Sequence, residues 1–331
     1  MAGIRFEVAG IGNAIVDVIA EAGDGFLAEN GIVKGGMTLI DEARASALYG
    51  AMPPAIEVSG GSCGNTIAGV ASLGGRGAYF GKVRDDQLGE VFTHDIRSLG
   101  VSFETARATQ GPATARCLIL VTPDAQRSMS TYLGACAGLG PDDIDEDVIA
   151  ASAITYMEGY LWDPEGAKQA FLKAAAAAHR AGRKVSLSLS DSFCVDRHRD
   201  DFLRLVRDEV DILFANEAEI LSLYQTQDFD EALGHARRDC TWAALTRSEA
   251  GSVIIADGEV HKVEAVRPAR LLDTTGAGDL YASGVLYGIA KGLDPLTSGK
   301  LGSLAASEAI SHFGPRPQAS LKVLAEAAGL L

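Results

Sequence analysis

Asp273-Thr274-Thr275-Gly276-Ala277-Gly278-Asp279 decides how the rest of the 331-residue chain is read. Leu271 and Leu272, just before it, read as the end of a buried strand. Leu280–Lys291 after it reads as a helix stopped by Gly292 and Asp294-Pro295. Gly276 and Gly278 then lie in a turn that opens a helix, where unpaired N–H groups and the positive end of the helix dipole favour an anion. Asp279 falls in the first helical turn, beside that anion. A carboxylate next to an anion hole suits phosphoryl transfer, the carboxylate taking a hydroxyl proton and the N–H groups holding the phosphate. The plainer alternative is that Asp279 caps the helix and the glycines make a tight turn. The remaining residues have to decide between the two.

Composition narrows the field. A hydrophobic content of 47% with 22% charged residues is that of a globular chain with a sizeable core. The net charge of −15, from 29 basic and 44 acidic residues, argues against non-specific nucleic-acid binding and against docking on an anionic membrane. A local nest of N–H groups still binds phosphate inside an acidic protein. The five cysteines (Cys63, Cys117, Cys136, Cys194, Cys240) form no CxxC pair and the histidines no HExxH, so reduced thiols in a cytoplasm are expected. Met-Ala-Gly-Ile-Arg-Phe-Glu has no signal-peptide shape, and no run of about 18 apolar residues offers a membrane span.

Along the chain, Phe6–Ile11 reads as a buried strand ending in Gly10-Ile11-Gly12-Asn13. Ile15 stands where a dinucleotide fingerprint needs a third small residue, so a dehydrogenase fold is a weak reading. The apolar run continues to Ile19 with Asp17 inside it, and a carboxylate there is costly without a partner or a task. Residues 21–58 read as irregular, apart from a short strand at Gly36–Ile40. Gly60-Gly61-Ser62-Cys63-Gly64-Asn65 leads into a small-residue helix over Thr66–Leu73. Ala115–Val121 and Arg127–Tyr132, separated by Pro123-Asp124, form a hairpin. From residue 150 strands and helices alternate, and Asp257-Gly258 marks a further hairpin. The pattern implies one α/β domain spanning 1–331. Its core would be a doubly wound, mostly parallel sheet flanked by helices, with a small β-sheet lid formed by about 21–58 and 101–135.

In such a sheet ligands bind at the carboxyl ends of strands. Asn13 and Asp17, Asn216 and Glu219, Thr246, and the 273–279 stretch all fall at expected strand ends. Asn216 is a good N-cap on the plain reading. On the functional one, Asn216 and Glu219 share a helical face and hold waters around Mg²⁺, which uses few protein carboxylates. No GxxxxGK[ST] occurs, which excludes a P-loop.

Taken together, these stretches resemble the ribokinase-like (pfkB-type) carbohydrate and nucleoside kinases. The carboxyl-side signature is Asp273–Asp279, the amino-side one Gly60-Gly61-Ser62 with Asn65 and then Gly74-Gly75, and Asn216…Glu219 matches the NxxE motif. The resemblance implies Asp279 as catalytic base and Gly276, Ala277 and Gly278 as the γ-phosphate hole. It implies Asn13, Asp17, Gly60, Gly61, Ser62 and Asn65 as substrate ligands. Thr246, Arg247, Gly251, Thr274 and Ser303 would line the nucleotide site, and Asp273 and Thr275 would hold a monovalent cation such as K⁺. ATP and Mg²⁺ are the implied cofactors. Two places depart from the family pattern: Arg84 replaces a glycine, and Thr246-Arg247-Ser248 stands where Thr-x-Gly is usual.

Within the family, Gly12-Asn13-Ala14-Ile15-Val16-Asp17 resembles adenosine kinases more than ribokinases or fructokinases. Glu158-Gly159-Tyr160-Leu161-Trp162 offers Tyr160 or Trp162 as an aromatic wall for a purine, the alternative being that both are packed at a strand end. Arg127 reads as a surface charge. The expected partner is a small nucleoside or sugar, with sugar kinases of the fructose, ribose or 2-keto-3-deoxygluconate type as the alternative. A non-catalytic nucleoside binder is disfavoured by an intact Asp279. The chain is expected to be a monomer or a homodimer through the lid.

Overall fold

The computed structural model describes residues 3–124 and 126–331; Met1 and Ala2 of the N-terminal reading lie outside the described residues. Strands β1 (Phe6–Ile11), β2 (Ile15–Glu21), β3 (Met37–Leu39) and β4 (Ile56–Ser59) alternate with helices α1 (Asp24–Glu29) and α2 (Glu42–Ala51). Then come α3 (Ser62–Ser72), β5 (Gly77–Phe80), α4 (Gln87–Ser98), β6 (Ala115–Val121) and β7 (Arg127–Tyr132). After α5 (Glu146–Ala150) the βα pattern sets in: β8 (Ser152–Glu158), α6 (Glu165–Arg180), β9 (Lys184–Ser188), α7 (Ser192–Asp208), β10 (Ile212–Asn216), α8 (Glu217–Tyr224), α9 (Phe229–Asp239) and β11 (Trp242–Thr246). The chain closes with β12 (Ser252–Ala256), β13 (Glu259–Val263), α10 (Ala277–Ala290), α11 (Pro295–Ala309) and α12 (Leu321–Ala327).

Eight strands form the main sheet in the order β13-β12-β11-β10-β9-β8-β1-β5, parallel except for the antiparallel edge pair β12 and β13. Alternation along each strand feeds two cores. Val8, Ile154, Tyr156, Ile212 and Phe214 pack against Ile67 and Val70 of α3 and Val285 and Leu286 of α10. Val185, Leu187, Leu213 and Leu245 pack on the other face against α6 to α9. Phe171 and Phe202 there are fully buried, each contributing roughly 1.5–3 kcal/mol relative to exposure.

A second sheet, β3-β7-β6-β2-β4, stands over the carboxyl ends of the parallel strands. Asp17 therefore lies on β2 of this sheet, opposite Val58 and Cys117, and not on a continuation of β1. The stretch read as irregular holds β4 and the helices α1 and α2.

Leu271 and Leu272 correct the sequence reading: they are not in a strand. Leu271 is 64% exposed, and Leu272 is tied only by its N–H to Ile310 O. Among the described residues no strand pairs with them. Helix α10 starts at Ala277, three residues before the expected start, and α11 ends at Ala309. Helices α10 and α11 touch through backbone: a Cβ on Gly284 would lie 2.4 Å from Gly302 N, and one on Gly288 2.4 Å from Ser298 Oγ. That contact fixes the axis on which the 273–279 loop is mounted.

Candidate active site

Between the two sheets lies a cavity of about 690 Å³. It is lined by Asn13, Asp17, Gly61, Ser62, Asn65, Tyr160, Asn216, Glu219, Thr246 and residues 274–279, so most of the sequence candidates meet in one place. The N-termini of α3, α7, α8 and α10 face it. Gly276 supplies the N-cap of α10 with φ 78°, and a Cβ there would come within 2.6 Å of the Cβ of Pro315. Among the described residues, and outside its own helical turn, no atom lies within 4 Å of where a Cβ on Gly278 would stand, which leaves the backbone at the start of α10 open to a ligand.

Asp279 sits in the first turn of α10, partly open to the cavity. Its Oδ1 accepts from Ser62 Oγ at 2.6 Å and its Oδ2 from Asn65 Nδ2 at 2.9 Å. Burial raises its pKa, against the lowering effect of these two donors and of Arg316. Asn65 is buried, and its Oδ1 has no partner, leaving one free acceptor beside the base. Asp17 is buried under Gly60, where a Cβ would fall 2.3 Å from the carboxylate. Burial pushes Asp17 up to about 7, while Arg316 and Arg127 pull it down. Gly60 is thus the support of Asp17 and does not line the cavity.

Glu158, read from sequence only as the head of the Tyr160 stretch, is an organising group. Its Oε1 accepts from Asn13 Nδ2 at 2.7 Å and its Oε2 from Cys63 N–H at 2.9 Å. Burial raises it to about 7. The glycines Gly10 and Gly12 serve close approach: Cβ atoms there would strike Cys63 at 2.5 and 2.4 Å. Tyr160 lines the cavity, with its N–H on Ser190 Oγ at 3.1 Å. Trp162 does not: it is buried against Phe171 and Phe202, with Nε1 donating to Asp201 at 3.0 Å. The aromatic wall is therefore Tyr160 alone of the two.

Asn216 and Glu219 form a reciprocal capping box: Asn216 Oδ1 accepts from Glu219 N–H, and Glu219 accepts from Asn216 N–H at 2.9 Å. The structural reading of this pair holds in full. Glu219 nevertheless faces the cavity, and burial raises it to about 7 with Asp191 and Asp279 adding to the rise. Among the described residues no group of three or more His, Cys, Asp or Glu could hold a metal. This donor set fits a Mg²⁺ held through its waters and not one caged by protein oxygens.

Asp273 is a different case. Its Oδ1 accepts from Thr275 N–H and its Oδ2 from Gly314 N–H, both at 3.0 Å. Arg127 Nη2 stands 2.6 Å from Oδ2, within ion-pair distance but out of hydrogen-bond alignment. A carboxylate so occupied does not fit a K⁺, and no step is assigned to one. Arg127 itself is 7% exposed, so it is no surface charge.

Arg247, Gly251 and Ser303 do not line the cavity. Arg247 lies over the Phe229 ring at 4.0 Å and pairs with Glu217. Gly251 makes the turn into β12 at φ 83°. Ser303 Oγ bridges Glu264 O and Val266 N–H. Sequence reasoning also missed Arg316 and the apolar side of the cavity, Ile15, Leu39, Ile119, Met129 and Leu133, contributed by β2, β3, β6 and β7 and the residue after β7. The alternation in Ala115–Val121 carried a signal for Ile119; Arg316 had none beyond its place between two prolines.

The family model for pfkB family carbohydrate kinases matches residues 55–321. The chain belongs to the pfkB family of carbohydrate kinases. This pfkB kinase is 56% identical to a solved adenosine kinase from Sinorhizobium meliloti, over 98% of this chain and 99% of that one, with a TM-score of 0.91. It is 55% identical to a solved probable sugar kinase protein from Rhizobium etli CFN 42, over 99% and 100% of the two chains, with a TM-score of 0.93. Adenosine kinase of Saccharomyces cerevisiae is 26% identical over 92% of this chain and 95% of its own. The fold is ribokinase-like, and membership implies ATP as phosphoryl donor and usually Mg²⁺. Among the described residues no helix is long and apolar enough to cross a membrane. The five cysteines are free and buried.

Proposed function

We propose that this pfkB kinase transfers the γ-phosphoryl group of ATP to the primary 5′-hydroxyl of a nucleoside, adenosine first, giving AMP and ADP. One observation carries the nucleoside reading. The substrate end of the cavity pairs the polar set Asn13, Asp17 and Asn65 with the apolar strip Ile15, Leu39, Ile119, Met129 and Leu133. A free sugar carries hydroxyls all round and gains little from such a strip, whereas a ribose bearing a base matches both halves. Base stacking on Tyr160 adds roughly 1–3 kcal/mol. The 56% identical adenosine kinase supports the same substrate.

In this reading Asp17 and Asn13 accept and orient the ribose hydroxyls, and Asn65 Oδ1 takes a further one. Asp279 removes the proton from the attacking hydroxyl as its oxygen bonds to the γ-phosphorus and the bond to the β-phosphate oxygen breaks. The N–H groups of residues 276–279 receive the charge gathering on the transferred group. Glu219 and Asn216 would hold a Mg²⁺ through its waters, and such an ion would supply positive charge to the phosphate oxygens. Thr246 and Thr274, which line the cavity, would contact the nucleotide. The second sheet acts as a lid over the substrate. Its edge strand β3 offers backbone groups to a second copy, which light scattering would count.

The sugar-kinase alternative is favoured by the R. etli relative. The deciding experiment is ADP release with ATP and Mg²⁺ across adenosine, other nucleosides, ribose, fructose and 2-keto-3-deoxygluconate. Turnover on adenosine far above every free sugar is expected; turnover confined to a sugar would overturn the nucleoside reading. Asp279→Asn is expected to lose about 10²–10⁴-fold in kcat while keeping nucleoside affinity.

A further inference from the structure

Residues 314–316 follow α11 and touch three separate parts of the site. Gly314 N–H donates to Asp273, and Pro315 packs on Gly276. Arg316 reaches across to the second sheet: its Nε donates to Ser59 O at 3.1 Å and its Nη2 to Ser59 Oγ at 3.0 Å. Ser59 closes β4, and its N–H and Oγ both donate to Asp95 of α4, at 2.7 and 2.6 Å. The guanidinium lies against the first turn of α3, where a Cβ on Gly64 would come within 3.3 Å of Nη2. Nη1 is buried with no partner.

A cation in that place has lost its water and faces the positive end of a helix, and arginine does not escape by deprotonation. Burial is the main influence on it, and the groups that offset burial are Asp95 on α4, Asp17 on β2, the Tyr79 phenol on β5 and Asp279 on α10. Its hydrogen bonds go to Ser59 alone, so it serves the two cavity carboxylates by charge and leaves their oxygens free for substrate.

We infer that Arg316 is a positioning residue for phosphoryl transfer: its buried charge balances Asp17 and Asp279 together, and its grip on Ser59 ties the end of β4 to the turn beside the anion hole. The inference rests on the reading of Asp17 as a substrate ligand and Asp279 as the base. The groups acting on Asp17 come from every side: Arg316 after α11 and Arg127 on β7 favour its anion, Asp279 on α10 opposes it, and the Cys117 thiol on β6 lies close by. Without Arg316, Arg127 is the one cation left among those groups. Asp17 then ionises only at higher pH.

The test compares Arg316→Met, Arg316→Lys and Ser59→Ala through kcat and KM measured across the acid limb, with thermal unfolding recorded beside them. Arg316→Met should move the acid limb of kcat/KM up by about 1 pH unit and raise KM. Arg316→Lys should return the limb to its parent position with KM still raised, because an ammonium cannot make the two-point grip. Ser59→Ala should leave the limb in place and raise KM. Variants that unfold earlier yet keep the parent limb and KM would reduce Arg316 to a structural residue. If Arg316→Met does not fold, a displaced limb in Arg316→Lys overturns the charge argument and an unchanged KM in Ser59→Ala overturns the grip. Asp279→Asn separates the two levels: retained turnover there sinks the base assignment, whatever the Arg316 variants do.

Discussion

Arg127 on β7 stands 2.6 Å from the carboxylate of Asp273 in the loop that opens α10, so a buried ion pair joins the second sheet to the anion hole. The two partners are not equally supported. Asp273 also accepts two backbone N–H groups, whereas all three nitrogens of Arg127 lack a hydrogen-bond acceptor among the described residues. Removing Asp273 strands a desolvated cation; removing Arg127 leaves an anion that is still solvated by protein. Asp273→Asn is expected to cost about 3–5 kcal/mol in urea unfolding and Arg127→Met clearly less. The reverse order would refute this account of the pair.

Ser62 and Asn65 share the task of holding Asp279. A hydrogen bond to a charged group contributes roughly 1.5–3 kcal/mol, so Ser62→Ala should lower kcat/KM by about 10- to 100-fold. With one of its donors gone the carboxyl is raised further, and the acid limb should move to higher pH. Steady-state kinetics at several pH values read both effects, and an unmoved limb with unaltered kcat/KM would remove Ser62 from the catalytic apparatus.

Asp17 and Glu158 are each pushed up to about 7 by burial. Activity that needs Asp17 as an anion therefore rises with pH and levels off above about 7. Stability of the ligand-free protein runs the other way. A carboxyl with a raised pKa keeps its proton in the folded state after the unfolded chain has released it, so folding loses stability from the ordinary carboxylate range up to about 7. Glu7, which burial alone would raise, is held down to about 2 by Arg76 and Lys291, and its contribution fades only at far lower pH. Asp17→Asn should flatten the decline in unfolding free energy between about pH 5 and 7. A slope equal to that of the parent would contradict the burial argument.

Gly276 cannot take a side chain without moving Pro315. Gly276→Ala is expected to displace the N–H groups of the anion hole and cut kcat by about 10²-fold, with a smaller change in KM. Full activity in that variant would mean that the hole lies elsewhere.

Much of this was legible in the residues. Strand–helix alternation after residue 150 foretold the main sheet, and the Gly276–Gly278 turn foretold the helix N-terminus that faces the cavity. What escaped depended on tertiary pairing. Ile15–Glu21 looks like a strand wherever it goes, and only its pairing with β4 and β6 assigns it to the second sheet. Glu42–Ala51 buries just Ala45 and Leu48, too thin a stripe to announce a helix. Leu271-Leu272 carried a strand's composition without a strand's neighbour. Trp162 and Arg127 misled for one reason: exposure of a lone aromatic or a lone charge is settled by what folds over it.

The bond between Ser62 and Asp279 spans 217 residues, and the one between Ser59 and Arg316 spans 257. A ribosome delivers Asn13, Asp17, Ser62 and Asn65 long before it delivers the base, the anion hole or the guanidinium. The residues assigned to holding substrate are thus synthesised well ahead of those assigned to reacting with it. Helix α10 packs in the same core as α3, β1 and β8, so that core is complete only once the chain has been made through α10. The groups assigned to chemistry are the last of the site to leave the ribosome.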